Sequence, residues 1–213
     1  MKDNILEIKN LEKIYHDKNG ETLAIKDLNL CIKDKEIVAI VGPSGCGKST
    51  LLSILAGLEN KSNGEIIINN NLKLGYMLQT DSLFPWRTIL DNCLLGLEIK
   101  KEKNKKNIEN VKRLLNKYGL SDFINKYPDN LSGGMKQRCA LIRTLAINPD
   151  ILLLDEPYSA LDYQTRLAMS DDLYKIIKQE GKTVILITHD LAEPMFTKRV
   201  INFLLNKMIK FWG

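Results

Sequence analysis

The sequence predicts an α/β fold with three parts: a core built on a mostly parallel sheet, an N-terminal antiparallel β subdomain and an inserted α-helical subdomain. Three observations carry that prediction. "EIVAIVG" (36–42), "ILLLDEP" (151–157) and "TVILITHD" (183–190) are apolar on both faces, as strands covered on two sides should be. "ILEIKNL" (5–11) and "LNLCIKD" (28–34) instead alternate apolar and polar residues, the pattern of half-buried antiparallel strands. The stretch from about 84 to 140 has few β-branched clusters and several helix-like segments.

Taken in order, the two alternating strands come first and the buried strand 36–42 follows. It runs into a glycine loop and then "KSTLLSILAGL" (48–58), whose leucines recur at helical spacing and whose Gly57 lies near the end. "LGYMLQ" (74–79) is strand-like and precedes the helical insertion, where 105–118 and 133–147 read as helices. Beyond it, strand 151–157, a helix over 163–180 closed by Gly181 and strand 183–190 form a βαβ unit with polar residues at the strand C-termini. A further strand is expected at 200–205. The chain reads as one domain over 1–213, with about 1–83 and 148–213 forming the core and about 84–147 the helical subdomain.

Composition is that of a globular protein: 44% hydrophobic and 27% charged in 213 residues. The net charge of +5 is mild, and much of it sits in the run from Lys100 to Lys106, read as a solvated face, not a nucleic-acid or lipid site. Cys31, Cys46, Cys93 and Cys139 form no CxxC pair and are expected to behave as small buried hydrophobes, with neither a disulfide framework nor a zinc site. The first ten residues lack the apolar stretch of a signal peptide, and no window offers the roughly eighteen apolar residues that span a bilayer. The expected location is therefore the cytosol, with any membrane link made through a partner.

The chemistry is concentrated in a few motifs. Gly42, Pro43, Ser44, Gly45, Cys46, Gly47, Lys48 and Ser49 match GxxxxGK[ST] in full. Glycines let backbone N–H groups curl around phosphate oxygens, and the following helix N-terminus adds positive potential. Lys48 can reach the β- and γ-phosphates of a nucleotide, and the Ser49 hydroxyl can ligate Mg²⁺. A buried strand before the loop and an apolar-faced helix after it supply the required context.

Asp155 and Glu156 close the run ILLL, where an Asp can hold Mg²⁺ and the adjacent Glu can deprotonate an attacking water. His189, at another strand end, can hydrogen-bond a γ-phosphate, although a lone histidine is more often structural. Gln79 can touch Mg²⁺ or the lytic water from a hinge between two lobes. Tyr15 can stack a purine or simply pack on the strands. "LSGGMKQR" (131–138) places Ser132, Gly133 and Gly134 before a helix, a second phosphate-facing turn in one chain.

Together these residues resemble the ATP-binding subunit of an ABC transporter, on a phosphate-loop (P-loop) NTPase core. GPSGCGKST, Gln79, LSGGMKQR, ILLLDEP, the loop Ser159-Ala160-Leu161-Asp162 and His189 occur in that family's order, over roughly residues 5 to 195. The resemblance implies that Tyr15 stacks on adenine, while Gly42, Gly45, Gly47, Lys48, Ser49 and Thr50 hold the phosphates and Mg²⁺ of ATP. It implies that Gln79 senses the γ-phosphate and relays it to an integral membrane permease docked between the lobes. Ser132 and Gly134 would bind ATP held by a second copy in a head-to-tail homodimer, with Asp162 linking the two sites.

"LFPWRTILDN", with Pro85-Trp86, is similar to importers of nitrate, sulfonate, taurine and related solutes, which also use a solute-binding protein. The implied activity is ATP hydrolysis powering solute uptake, from the inner face of the cell membrane. Two features depart from the family: Pro194 in the expected helix after His189, and a tail without the usual glycine-containing hairpin. The alternative is a soluble ABC ATPase acting on DNA or the ribosome. Such proteins carry coiled-coil insertions or paired cassettes, absent from this sequence. A phosphate-loop kinase leaves LSGG and Asp162 without a role.

Overall fold

The computed structural model describes residues 4–18, 20–68, 72–158, 163–188 and 208–210. Strands β1 (Asn4–Asp17) and β2 (Gly20–Lys33) form a long antiparallel hairpin. β4 (Asn63–Ile68) pairs with the other edge of β1, giving the order β2-β1-β4. The register sets Leu6 against Ile32, Ile8 against Leu30 and Leu11 against Leu28, all six buried. The expected alternation is thus present, but it corrects one expectation: Cys31 is exposed. Leu30 and Ile32 take the inward positions, so the pleat turns the residue between them outward.

The second sheet is parallel at every described pairing. It joins β5 (Leu74–Met77), β6 (Ile151–Asp155), β7 (Thr183–Thr188), β3 (Ile37–Val41) and β8 (Met208–Lys210) in the order β5-β6-β7-β3-β8. All residues of β6 and β7 are buried, and their alternate side chains feed two cores. Ile151, Leu153, Ile185 and Ile187 pack with the antiparallel sheet and with Leu51 and Leu52 of α1 (Lys48–Leu55). Leu152, Leu154, Val184 and Leu186 pack toward the helices on the opposite side. Double coverage is why these strands lack alternation in the sequence.

Between β5 and β6 lie α2 (Ile89–Ile99), α3 (Lys105–Lys117) and α4 (Gly133–Ala146). Each begins where a side chain can satisfy a free N–H. Thr88 accepts from the Asp91 amide, Asn104 from the Asn107 amide and Ser132 from the Met135 amide. Cys93 of α2 and Cys139 of α4 are fully buried, with their sulfurs 3.5 Å apart, as the small-hydrophobe reading expects.

Helix α5 (Tyr163–Glu180) follows β6 and ends at Gly181, whose φ of +60° suits the left-handed turn out of a helix. The expected helix 48–58 stops at Leu55, with Gly57 at φ +73° providing the same exit. The strand expected at 200–205 and Pro194 lie outside the described residues. No helix among the described residues is long and apolar enough to cross a membrane.

Candidate nucleotide site

The site assembles at the C-terminal ends of β3, β5 and β6, where an open parallel sheet presents its crevice. The loop after β3 enters α1 through Gly47, at φ +92°. A Cβ on that residue would be driven into the Ala24 carbonyl of β2, so both conformation and space demand glycine. Lys48 is 4% exposed, and its Nζ donates to the carbonyl oxygens of Gly42 and Pro43, each at 2.7 Å. The ammonium also lies 3.8 Å from Cys46 Sγ. A cation is therefore held inside the curl of the glycine loop.

Asp155 joins this loop from β6. The Ser49 hydroxyl donates to Asp155 Oδ1 at 3.1 Å, and the Tyr76 hydroxyl donates to Oδ2 at 3.2 Å. Burial raises the Asp155 carboxyl above the ordinary carboxylate range. The Ser49 and Tyr76 hydrogen bonds and the Lys48 charge pull it back, and Glu156 adds a smaller upward push.

Glu156 sits at φ +43°, an unusual backbone conformation for a residue with a side chain, and its amide donates to the Ile187 carbonyl at 3.0 Å. That turn leaves the carboxylate 3.1 Å from Gln79 Nε2, which donates to Oε2. The two residues read separately in the sequence, 77 positions apart, are therefore in direct contact.

Tyr15 stands at the margin of the same loop. Its hydroxyl reaches Thr50 Oγ1 at 3.4 Å, the residue is 39% exposed, and Lys13 Nζ lies 4.6 Å from the ring centroid. Lys13 is itself buried and fixed by Glu59 Oε1 and the Asn60 carbonyl, both at 2.7 Å. Ser132 caps α4, exposed, with Gly133 and Gly134 in the first helical turn. Among the described residues, no hydrogen bond joins Ser132 to Lys48, Ser49 or Asp155. His189 and Asp162 lie outside the described residues.

The glutamine-containing loop is braced by residues without a motif to mark them. Arg143 of α4 donates through Nη1 to the Ser82 carbonyl at 2.8 Å and through Nη2 to the Asp81 carbonyl at 2.6 Å. Buried Asn92 accepts from the Phe84 amide at 2.8 Å and donates to the carbonyls of Phe84, Arg87 and Thr88. Between them Trp86 is 70% exposed, stacked on Phe84 at 5.1 Å between ring centroids.

A lysine in a glycine loop, a carboxylate beside its serine and a second glycine turn capping another helix are matched by a known family. The family model described as ABC transporter aligns with residues 25–159. The chain belongs to the ABC transporter family. Its ABC cassette is 44% identical over 193 residues to the taurine import ATP-binding protein TauB of Pelagibacter ubique, covering 87% of this chain and 73% of that protein. It is 39% identical over 197 residues to the nitrate import ATP-binding protein NrtD of Synechocystis, covering 90% and 74%. Among solved structures, it superposes on the dimeric, post-hydrolysis ATP-binding cassette MJ0796 bound to ADP and Pi with a TM-score of 0.75. That alignment has 33% identity and covers 97% of this chain and 94% of the other. The cassette is an ATP-binding ATPase with the P-loop NTPase fold expected from the sequence.

Proposed function

We propose that the protein is the ATP-hydrolysing subunit of an importer, closing as a head-to-tail homodimer around ATP and driving a membrane permease. The observation that carries this reading is the cluster of Lys48, Ser49, Asp155, Glu156 and Gln79 at one end of the parallel sheet. Hydrolysis is an in-line attack of water on the γ-phosphate, catalysed by positioning and charge stabilisation. Lys48 neutralises the phosphate oxygens, Glu156 accepts a proton from the attacking water and His189 supports it. Gln79 moves from Glu156 toward the phosphate when the lobes close.

The residues fit Mg²⁺. No cluster of three or more His, Cys, Asp or Glu suited to a metal occurs among the described residues. Mg²⁺ in nucleotide sites takes few protein ligands and completes its octahedron with phosphates and water. Ser49 and Asp155, with oxygens 3.1 Å apart, supply such a pair, and Gln79 a third contact on closure. When bound, the ion neutralises charge developing on the β- and γ-oxygens.

The relatives support import: TauB and NrtD are named for taurine and nitrate uptake. We infer a small solute of the nitrate, sulfonate or taurine class, delivered by a solute-binding protein that the cassette meets only through the permease. The cassette then works at the inner face of the cell membrane. The stacked Phe84–Trp86 pair beside the glutamine loop gives the permease an aromatic anchor. Ser132, Gly133 and Gly134 at the N-terminus of α4 address the γ-phosphate held by the partner copy.

The test is Mg²⁺-dependent ATPase activity as a function of protein concentration, run with Glu156→Gln. A dimeric site gives a steeper than linear rise. Glu156→Gln retains ATP binding, loses about 10²- to 10⁴-fold in turnover and accumulates a closed dimer on size-exclusion chromatography. Hydrolysis by Glu156→Gln at the wild-type rate overturns the assignment of the base.

A further inference from the structure

Both oxygens of Asp155 accept hydroxyl hydrogen bonds, and the two donors stand on different elements. Ser49 is also the serine of the phosphate loop, so on metal binding a lone pair of its oxygen would face the ion while its hydroxyl still donates to Oδ1, 3.1 Å away. Tyr76 holds the other oxygen. Its hydroxyl lies 3.2 Å from Oδ2 and donates to it.

The fold places Tyr76 there by register. β5 and β6 are parallel neighbours with Tyr76 opposite Leu153, and Asp155 is two residues further along β6. Residues two apart in a strand share a face, so Tyr76, Leu153 and Asp155 all lie on the α1 side. Accordingly, Leu153 and the half-buried Tyr76 ring pack in the same apolar cluster as Leu51 and Leu52 of α1. The ring is packed against that cluster while its hydroxyl donates to Oδ2, which holds the phenol at the carboxylate.

We propose that Tyr76 is a positioning residue for metal binding, holding Oδ2 of Asp155 so that Oδ1 faces Ser49 and the phosphate loop. Outer-shell donors of this kind change metal affinity by about 10- to 100-fold when removed. Tyr76 is one of several restraints on a carboxylate that is 5% exposed, so Tyr76→Phe belongs at the lower end, near tenfold. The inference rests on the proposed role of Asp155 toward Mg²⁺, and the experiment separates the two.

The measurement is the affinity of a fluorescent ADP analogue for the full chain, with saturating Mg²⁺ and again in EDTA, together with a Mg²⁺ titration at fixed nucleotide. Wild type, Tyr76→Phe and Asp155→Asn are compared, with melting temperatures confirming that each variant is folded. The expected result is that Asp155→Asn abolishes the tightening caused by Mg²⁺. Tyr76→Phe shifts the Mg²⁺ midpoint about tenfold upward and leaves affinity in EDTA unchanged. If Asp155→Asn abolishes the tightening and Tyr76→Phe matches wild type, the positioning role is wrong and the metal role of Asp155 stands. If Tyr76→Phe weakens binding equally with and without Mg²⁺, the phenol serves packing and the proposal fails. If Asp155→Asn leaves the Mg²⁺ effect intact, the metal role falls and takes the proposal with it.

Discussion

Replacing Tyr15 separates base stacking from every other contribution to nucleotide binding. The phenol hydroxyl meets the phosphate-loop helix in a 3.4 Å contact to Thr50, long for an O–H···O bond and exposed. Tyr15→Phe should therefore change ATP affinity by less than about twofold, a few tenths of a kcal/mol. Tyr15→Leu keeps an apolar side chain but removes the aromatic ring of a residue exposed beside the loop. Base–aromatic stacking is worth about 1–3 kcal/mol, which corresponds to a loss of about 5- to 150-fold in affinity. Lys13 Nζ sits 4.6 Å from the ring centroid and draws on the π-density, which places Tyr15→Leu in the middle of that range. Calorimetric titration with ATP and, in parallel, inorganic tripolyphosphate is the assay. ATP should weaken on Tyr15→Leu and tripolyphosphate should not. Equal weakening of both would mean that Tyr15 shapes the phosphate loop and does not read the base.

Three other perturbations test separate parts of the molecule. Gly47→Ala forces a side chain into the left-handed region, about 1–3 kcal/mol of strain, and into the Ala24 carbonyl. We expect ATP binding to fall more than about tenfold and the melting temperature to drop by several degrees, read by calorimetry and scanning fluorimetry. Trp86→Ala, at an exposed aromatic, should leave the isolated subunit's ATPase rate unchanged and weaken co-purification with its permease by about 30-fold or more, the loss of a 2 kcal/mol hot spot.

Glu180 of α5 accepts from Lys117 Nζ and the Tyr118 hydroxyl, both at 2.8 Å, tying the helical insertion to the core. Burial pushes its carboxyl up, but those two hydrogen bonds and the Lys117 charge outweigh burial and hold it below the ordinary value. A depressed carboxyl contributes stability above the unfolded value of about 4.3 and loses it as pH falls through the folded value. Glu180→Gln should therefore lower the melting temperature by about 1–4 °C at pH 7. That difference should vanish as the pH drops below about 4.

The phosphate loop, the carboxylate pair and the glycine turn of α4 were legible because their chemistry is written in contiguous residues. Lys48, Ser49, Asp155 and Glu156 fall together once β3 and β6 lie in one parallel sheet, and the apolar runs announced that sheet. What brings Tyr76 to Asp155 is a strand register across 79 positions, and no local pattern encodes it. Lys13 was invisible for the same reason, its partners Glu59 and Asn60 being 46 and 47 positions away. Arg143 was hidden differently, because a basic residue near a helix C-terminus is ordinary. Cys31 was misjudged from residue type, although the alternation Leu28, Leu30, Ile32 already placed it on the opposite face. Period was the better guide there.

Helix α4 does two jobs at its two ends. Ser132 opens it with the turn proposed to meet a second copy's nucleotide, and Arg143, eleven residues on, grips the carbonyls of Asp81 and Ser82 next to Gln79. At about 1.5 Å per residue the two points are about 16 Å apart along one hydrogen-bonded rod. A rod of that kind behaves as a lever: if a neighbour's phosphate draws in one end, the other end carries the loop that holds Gln79 against Glu156. On the function proposed above, the base in one copy would thereby be placed under mechanical supervision by nucleotide bound in the other, without a side chain having to cross the distance between them.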